Sequence, residues 1–186
     1  MFAPLKKHGC GPGKRVGIIG IGGLGHFGLL FAKALGASKI VAVSRSSSKR
    51  NDALSMGADD FIATGEDSDW ATKHRGSLDL IISTLSASDD MPFSQYLGLL
   101  AFGGTMIQVG APETGLPAFD PSPLLFNRVT IAGSLVGTRK QIQEMLDIAA
   151  SENVKPWIQT WAMEKANEAL VAFEEGAPRY RFVLCN

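Results

Sequence analysis

The stretch that most constrains this chain is Arg15 to Gly36, RVGIIGIGGLGHFGLLFAKALG. Val16 to Ile19 form a short apolar, β-branched run of the kind found in strands. Gly20-Ile21-Gly22-Gly23-Leu24-Gly25 then fits G-x-G-x-x-G. A helical pattern follows through Leu24, Phe27, Leu30, Phe31, Ala34 and Leu35, and Gly36 stands where a left-handed cap is wanted. Strand, glycine turn and helix come in the order a dinucleotide requires. Gly20 permits a tight turn, Gly22 lets the backbone approach a pyrophosphate, and Gly25 lets the helix lie against the strand. The helix N-terminus directs free N–H groups and the positive end of its dipole at the phosphates. The bland alternative is a glycine-rich turn with no ligand.

The remainder of the chain repeats the alternation. Strands are expected at Lys39–Val43, Phe61–Ala63, Leu78–Ser83, Thr105–Val109 and Val129–Ala132. Helices are expected at about Ser47–Met56, Asp67–Arg75, Pro92–Leu100 and Arg139–Ala150. The last carries Ile142, Met145, Leu146 and Ala149 on one face. A proline-rich loop precedes the sixth strand. This is an α/β pattern, predicting a doubly wound six-strand parallel sheet with right-handed crossovers and ligands at the strands' carboxyl ends. The expected units are an incoming segment at 1–13, a Rossmann domain at 14–153 and a C-terminal strand-helix-strand at 154–186. That last piece (strand Trp157–Trp161, helix Glu164–Glu175, strand Tyr180–Leu184) has no place in the finished sheet and reads as the remnant of a second domain. A methionine directly before the helix-tail material of residues 1–13 is read as truncation.

At the end of the second strand a Rossmann unit that binds NAD carries an acid for the ribose 2′-OH. Here Ser44 stands there, followed by Arg45-Ser46-Ser47-Ser48-Lys49-Arg50. Ser44 as a donor, Arg45 as a planar partner and Lys49 as a point charge suit a 2′-phosphate, so NADP is the expected cofactor. The missing acid also argues against a methyltransferase. A plainer reading makes the same loop a helix cap, with Ser47 or Ser48 at the N-cap.

Composition narrows the partners. Lysine plus arginine number 18 and aspartate plus glutamate 18, giving a formal net charge of zero. Nothing in that balance favours nucleic acid or a charged membrane surface. No apolar run approaches the ~20 residues of a membrane span. Cys10 and Cys185 lie far apart in sequence, which reads as a reducing, cytoplasmic setting. His8, His26 and His74 are scattered, and no metal-ligand motif is present, so no metal residue is assigned.

GCGPGKRVGIIGIGGLGHFG, AVSRSSSKRNDALSMGAD and the closing RYRFVL together resemble the zinc-dependent medium-chain alcohol dehydrogenases. The nearest group is the cinnamyl-alcohol-dehydrogenase type, especially the fungal NADP-dependent enzymes, and the resemblance runs along essentially the whole chain. It implies that Gly20, Gly22, Gly23, Leu24 and Gly25 form the pyrophosphate turn, and that Ser44, Arg45 and Lys49 form the 2′-phosphate pocket. It further implies that Ser83 and Thr84 lie beside the riboses and that Val109, Gly110 and Ala111 meet the nicotinamide carboxamide. Gly133, Ser134 and Leu135 would line that same end, and Arg181 would reach the pyrophosphate. For Ser83, Thr84 and Ser134 ordinary strand-end hydrogen bonding competes, and for Arg181 a solvated charge.

In the resembled family a catalytic zinc is held by cysteine, histidine and glutamate, and a structural zinc by four cysteines. Both sets belong to an N-terminal domain and neither is here. His26 is read as structural. The implied parent enzyme moves a hydride between NADP(H) and primary alcohols or aldehydes, with zinc polarising the oxygen. By itself this chain is expected to bind NADP(H) without oxidising alcohols, and to form a homodimer along the sixth-strand edge. The alternatives are a truncated, non-catalytic NADP-binding module and a zinc-independent reductase of the same superfamily.

Overall fold

The computed structural model describes residues 1–86, 91–112 and 115–186. Eight strands and eight α-helices alternate along the described residues: α1 (Phe2–Lys7), β1 (Arg15–Ile19), α2 (Gly25–Ala34), β2 (Lys39–Ser44), α3 (Arg50–Ser55), β3 (Asp60–Ala63), α4 (Trp70–Lys73), β4 (Leu78–Ser83), α5 (Phe93–Gly98), β5 (Leu100–Gln108), α6 (Ser122–Phe126), β6 (Thr130–Gly133), α7 (Arg139–Ser151), β7 (Ile158–Ala162), α8 (Ala166–Glu174) and β8 (Arg181–Cys185). Six strands form one sheet in the order β3-β2-β1-β4-β5-β6, every neighbouring pair parallel. This is the Rossmann-like doubly wound α/β fold that the alternation predicts. The order reverses beside β1, between β2 and β4, which is where such sheets open a crevice.

Alternate residues of the central strands feed two cores, because successive side chains of a strand point to opposite faces. Val16, Ile18, Ile40, Ala42, Leu80 and Ile82 pack with Leu29, Phe31, Phe2 and Leu5 of the α1–α2 layer. Ile19, Val41, Val43, Ile62 and Ile81 pack with Trp70, Phe93, Tyr96 and Leu97 of the α4–α5 layer. Burial on both faces is why these strands read as unbroken apolar runs. α2 ends as its sequence requires: Gly36 takes φ +76, the Gly36 N–H donates to the Lys33 carbonyl at 2.9 Å, and the Ala37 N–H to the Ala32 carbonyl at 3.0 Å.

Several elements depart from the sequence expectation. The second helical stretch splits into a 3-10 turn at Ser47–Lys49 followed by α3, and no side chain caps either start. Ser47 is instead engaged with Glu66, which accepts from its N–H at 2.8 Å and its hydroxyl at 3.2 Å, while Ser48 faces Ser46. β5 begins five residues early, at Leu100, because the Gly103-Gly104 pair that resembles a turn is absorbed as a register shift against β4. The proline-rich loop contains the short helix α6. α7 carries a capping box in which Thr138 and Gln141 bond each other's backbone N–H. Its inward face is Met145, Ile148 and Ala149, whereas Ile142 and Leu146 are exposed.

The C-terminal strands do not join the main sheet. β7 and β8 pair with each other in a separate two-stranded parallel sheet. Tyr180, just before β8, is nevertheless buried in the α1–α2 core. None of the described helices is long and apolar enough to cross a membrane.

Candidate functional site

A cleft of about 1070 Å³ opens at the carboxyl ends of β1, β2 and β4. Its floor is the glycine turn. Gly20 has φ +86, a conformation that L-residues with a Cβ rarely adopt, and its N–H donates to the Val43 carbonyl of β2 at 2.9 Å. A Cβ on Gly25 would fall inside contact distance of the Gly20 carbonyl, so α2 can lie this close to β1 only with glycine there. A Cβ on Gly22 would meet no protein atom within 4 Å. The protein's own packing therefore gives no reason for glycine at 22. A backbone that a pyrophosphate must approach closely does.

One hydroxyl and two cations bound the cleft from the β2 side. Ser44 ends β2, Arg45 is exposed beside it, and Lys49 is half-buried in the following turn; all three line the cleft. The Lys49 ammonium donates to the Ile21 carbonyl at 2.7 Å, which folds the β2 loop onto the glycine turn. Burial lowers the Lys49 pKa from its ordinary value, Arg179 lowers it further, and Asp52 opposes both. A partly desolvated ammonium beside an arginine gains strongly from an incoming anion. Arg181 reaches the turn from β8: its guanidinium carbon lies 2.8 Å from where a Cβ on Gly23 would stand.

From β4, Thr84 lines the cleft and its hydroxyl lies 3.0 Å from the Ile19 carbonyl and 2.8 Å from that of Gly20. Ser83 is fully buried, its oxygen has no partner among the described residues, and it does not line the cleft. Gly110 belongs to a close approach of two strand-end loops, since a Cβ there would collide with the Leu85 carbonyl. The Gln108 amide nitrogen clips those loops, donating to Leu85 at 2.9 Å and to Gly110 at 2.8 Å. Ala111 lines the cleft and Val109, beside it, does not.

Gly133, Ser134 and Leu135 are not brought to the cleft. They stand at the end of β6, the outermost strand, with β5 between it and β4. The Ser134 N–H bonds the Gln108 carbonyl at 3.1 Å, and Leu135 borders a separate 90 Å³ cavity against Met1–Pro4. Leu24, in the motif, has an exposed side chain. His26 is fully buried; its Nδ1 donates to the Gly23 carbonyl at 3.0 Å and its ring stacks on Tyr180, which fits a structural residue. Desolvation lowers its pKa, so it stays neutral.

The far wall was not legible in the sequence: Thr64 and Gly65 after β3, and Trp70, Met91, Pro92 and Tyr96 from the α4–α5 layer. Thr64 and Gly65 follow a strand's carboxyl end, a position that in itself marks a ligand crevice. Trp70 and Tyr96 carry no such signal, because an aromatic residue on a helix reads as core. Among the described residues no group of three or more His, Cys, Asp or Glu side chains is placed to hold a metal.

This arrangement can hold a pyrophosphate on the turn, an extra phosphate at the β2 end and a flat ring against the apolar wall. Comparison with known proteins points the same way. The chain is 38% identical over 186 residues to NADP-dependent alcohol dehydrogenase 6 of Saccharomyces cerevisiae, covering 99% of this chain and 51% of that relative. It is likewise 38% identical to cinnamyl alcohol dehydrogenase 8 of Arabidopsis thaliana, covering 99% of this chain and 50% of that one. The fold superimposes on a cinnamyl alcohol dehydrogenase of Sorghum bicolor with a TM-score of 0.90 and 35% identity, covering 98% of this chain and 51% of the other. A cinnamyl alcohol dehydrogenase from Helicobacter pylori, solved in complex with NADP(H), gives 0.82 and 32%, covering 98% and 51%. The chain thus spans about half the length of the relatives it matches. With its residues 23–151 matching the sequence pattern of the zinc-binding dehydrogenases, the chain belongs to the zinc-binding dehydrogenase family.

Proposed function

We propose that this chain is the NADP(H)-binding part of an alcohol dehydrogenase that interconverts primary alcohols and aldehydes. The observation that carries the reading is the β2 end, where Ser44, Arg45 and Lys49 stand on the cleft in place of a ribose-binding acid. The names of the relatives support it. When bound, NADP(H) supplies or accepts the hydride.

The protein's own residues would bind and orient. The glycine turn and the N-terminus of α2 would hold the pyrophosphate with backbone N–H groups, and Arg181, seated over Gly23, would complete that cradle. Arg45 and Lys49 would select the 2′-phosphate, while Trp70, Met91, Pro92 and Tyr96 offer an apolar wall for the adenine. Thr84 faces the sugar side. The strand-end pair Val109–Gly110 and the exposed Ala111, held by Gln108, would face the nicotinamide. Gly133, Ser134 and Leu135, tied to that clip by the Ser134 N–H on the Gln108 carbonyl, would lie at the same end. The described residues offer no ligand set for zinc. The zinc of the whole enzyme, its substrate pocket and the choice of alcohol would belong to residues outside this chain.

We further propose a homodimer through β6, the outermost strand of the sheet, whose unpaired edge can add a symmetry-related strand. Sedimentation at tens of micromolar should show a dimer; a clean monomer overturns that assembly. A cytoplasmic location accords with Cys10 and Cys185 both being free thiols.

The cofactor reading is tested by titrating NADPH and NADH into the wild type and Arg45→Ala. Loss of a charge-assisted phosphate contact should weaken NADPH by about ten- to a hundredfold and leave NADH unchanged. If the wild type binds NADH as well as NADPH, the pocket assignment is wrong.

A further inference from the structure

Tyr180 does something its neighbours in the C-terminal segment do not. Its side chain leaves the β7–β8 sheet and is buried to 2% exposure against the main domain. The ring stacks on His26, with centroids 5.4 Å apart and planes 14° from parallel. Its hydroxyl donates to the Asp52 carboxylate at 2.7 Å, across 128 residues of sequence. The Lys49 ammonium lies 5.6 Å from the centre of the same ring.

Asp52 sits three residues after Lys49, a spacing that puts two side chains of a helical segment within reach of each other. It is the acid whose field acts on Lys49. Left to itself, such a carboxylate would draw the ammonium into an ion pair and repel a phosphate arriving beside it. In the structure the carboxylate is turned to the tyrosine hydroxyl, and among the described residues Lys49 bonds only a backbone carbonyl. An ammonium has three protons, so that one contact leaves two for an anion. Burial first, then the bond to Asp52 and its charge, push the Tyr180 pKa up, which keeps its hydroxyl a donor at neutral pH.

We propose that Tyr180 is a positioning residue for cofactor selection: its hydroxyl holds the Asp52 carboxylate away from Lys49, so that Lys49 stays available to a 2′-phosphate. The inference rests on the NADP(H) reading above. It ties selection at the end of β2 to a residue from the far end of the chain.

The test measures NADPH and NADH dissociation constants for the wild type, Tyr180→Phe, Asp52→Asn and the double variant. Tyr180→Phe keeps the ring on His26 and under Lys49 and removes only the hydroxyl. It should weaken NADPH by roughly two- to fivefold, the worth of a partly exposed ion pair diverted from the phosphate, with NADH unchanged. The double variant should recover NADPH binding, because the competing carboxylate is gone. Asp52→Asn alone should hold or tighten NADPH, and this arm stands even if Tyr180→Phe folds poorly. A Tyr180→Phe variant that keeps the wild-type NADPH to NADH ratio, or that loses both cofactors equally, overturns the proposal. So does a loss of NADPH binding in Asp52→Asn. A wild type without preference for NADPH instead overturns the cofactor reading itself, and this inference with it.

Discussion

The centre of the main sheet and the C-terminal two-stranded sheet are both parallel β-structure, yet they are held in different ways. In β1, Val16, Gly17, Ile18 and Ile19 are all buried, and in β4 only Asp79 is not. In β7 a single residue, Trp161, is even half-buried. The central strands are fixed by side chains on both faces and, at the glycine turn, by backbone lying on backbone. The terminal strands are fixed chiefly by their mutual hydrogen bonds, by the Trp161–Phe182 ring pair and by Tyr180 inserted into the neighbouring core. Position in the layers, not strand type, decides how much one residue can matter.

The comparison is broken most directly in the centre. Ile82 of β4 is fully buried between the sheet and α2. Ile82→Ala should cost about 2–5 kcal/mol, as truncating a buried isoleucine leaves a cavity that surrounding atoms only partly fill. Urea unfolding followed by tryptophan fluorescence reads this as a lower midpoint at unchanged slope.

The glycine turn sharpens it, since two glycines of one motif should respond in opposite ways. Gly25→Ala drives a methyl into the Gly20 carbonyl and should destabilise by about 1–3 kcal/mol, or more where the backbone cannot shift. Gly22→Ala meets nothing and has no positive φ, so its stability should stay within ~0.5 kcal/mol of wild type. Its NADPH binding should nevertheless fall, measured by the same titration as above. A Gly22→Ala variant that binds NADPH normally would remove the ligand explanation for that glycine.

These contrasts also mark what could be read from the sequence. β1, β2 and β4 announce themselves because two-faced burial demands continuous apolar runs, and the glycine turn because backbone contact demands residues without a Cβ. The β2 loop was legible through charge: Ser44, Arg45 and Lys49 stand where an acid would otherwise be. What was not legible depends on contacts between segments far apart. Nothing local in the sequence says that Tyr180 reaches Asp52, or that Tyr96 forms a wall of the cleft. The expected place of Gly133 to Leu135 near the cofactor comes from the resemblance alone, since nothing local in β6 marks them. Of the expected α7 face, Met145 and Ala149 turn inward together with Ile148, while Ile142 and Leu146 stay exposed, a choice that only packing against α1 and α2 makes.

A smaller effect should appear at the opposite end of the strands. Arg15 of β1 grips Asp79 of β4 with two side-chain bonds of 3.0 and 2.7 Å, and its N–H adds a third at 2.9 Å. The arginine bonds chiefly, and its charge, hold the Asp79 pKa below the ordinary carboxylate value. A carboxyl whose folded pKa is depressed stabilises the fold above its unfolded pKa, about 3.9. As pH falls below that, the unfolded chain takes up the proton first and the stabilisation drains away. Because the Arg15 side chain is 41% exposed, solvent screening limits the pair to about 1 kcal/mol. Asp79→Asn should therefore be less stable than wild type at pH 7, and the gap should narrow as pH falls below about 4. A gap that stays constant down to pH 2 would show that the ion pair is not the cause.

The smallest effect should come from α8, which packs beside β7 and β8 and turns Leu170, Val171 and Phe173 outward. Phe173 is 60% exposed, so most of its ring is as wet in the folded chain as in the unfolded one. Little transfer energy is then at stake in Phe173→Ser, and the two residues have similar helix propensity. The variant should unfold within ~0.5 kcal/mol of wild type, in either direction. Ile82→Ala supplies the scale in the same buffer and at the same protein concentration. Should Phe173→Ser approach that cost, the outward face of α8 must be buried in solution against another surface. The contrast between the two sheets would then belong to the isolated chain and not to the protein in solution. Repeating the measurement over a range of concentrations would distinguish the cases, because burial by a second copy makes the cost grow with protein concentration, whereas burial within one chain leaves it fixed.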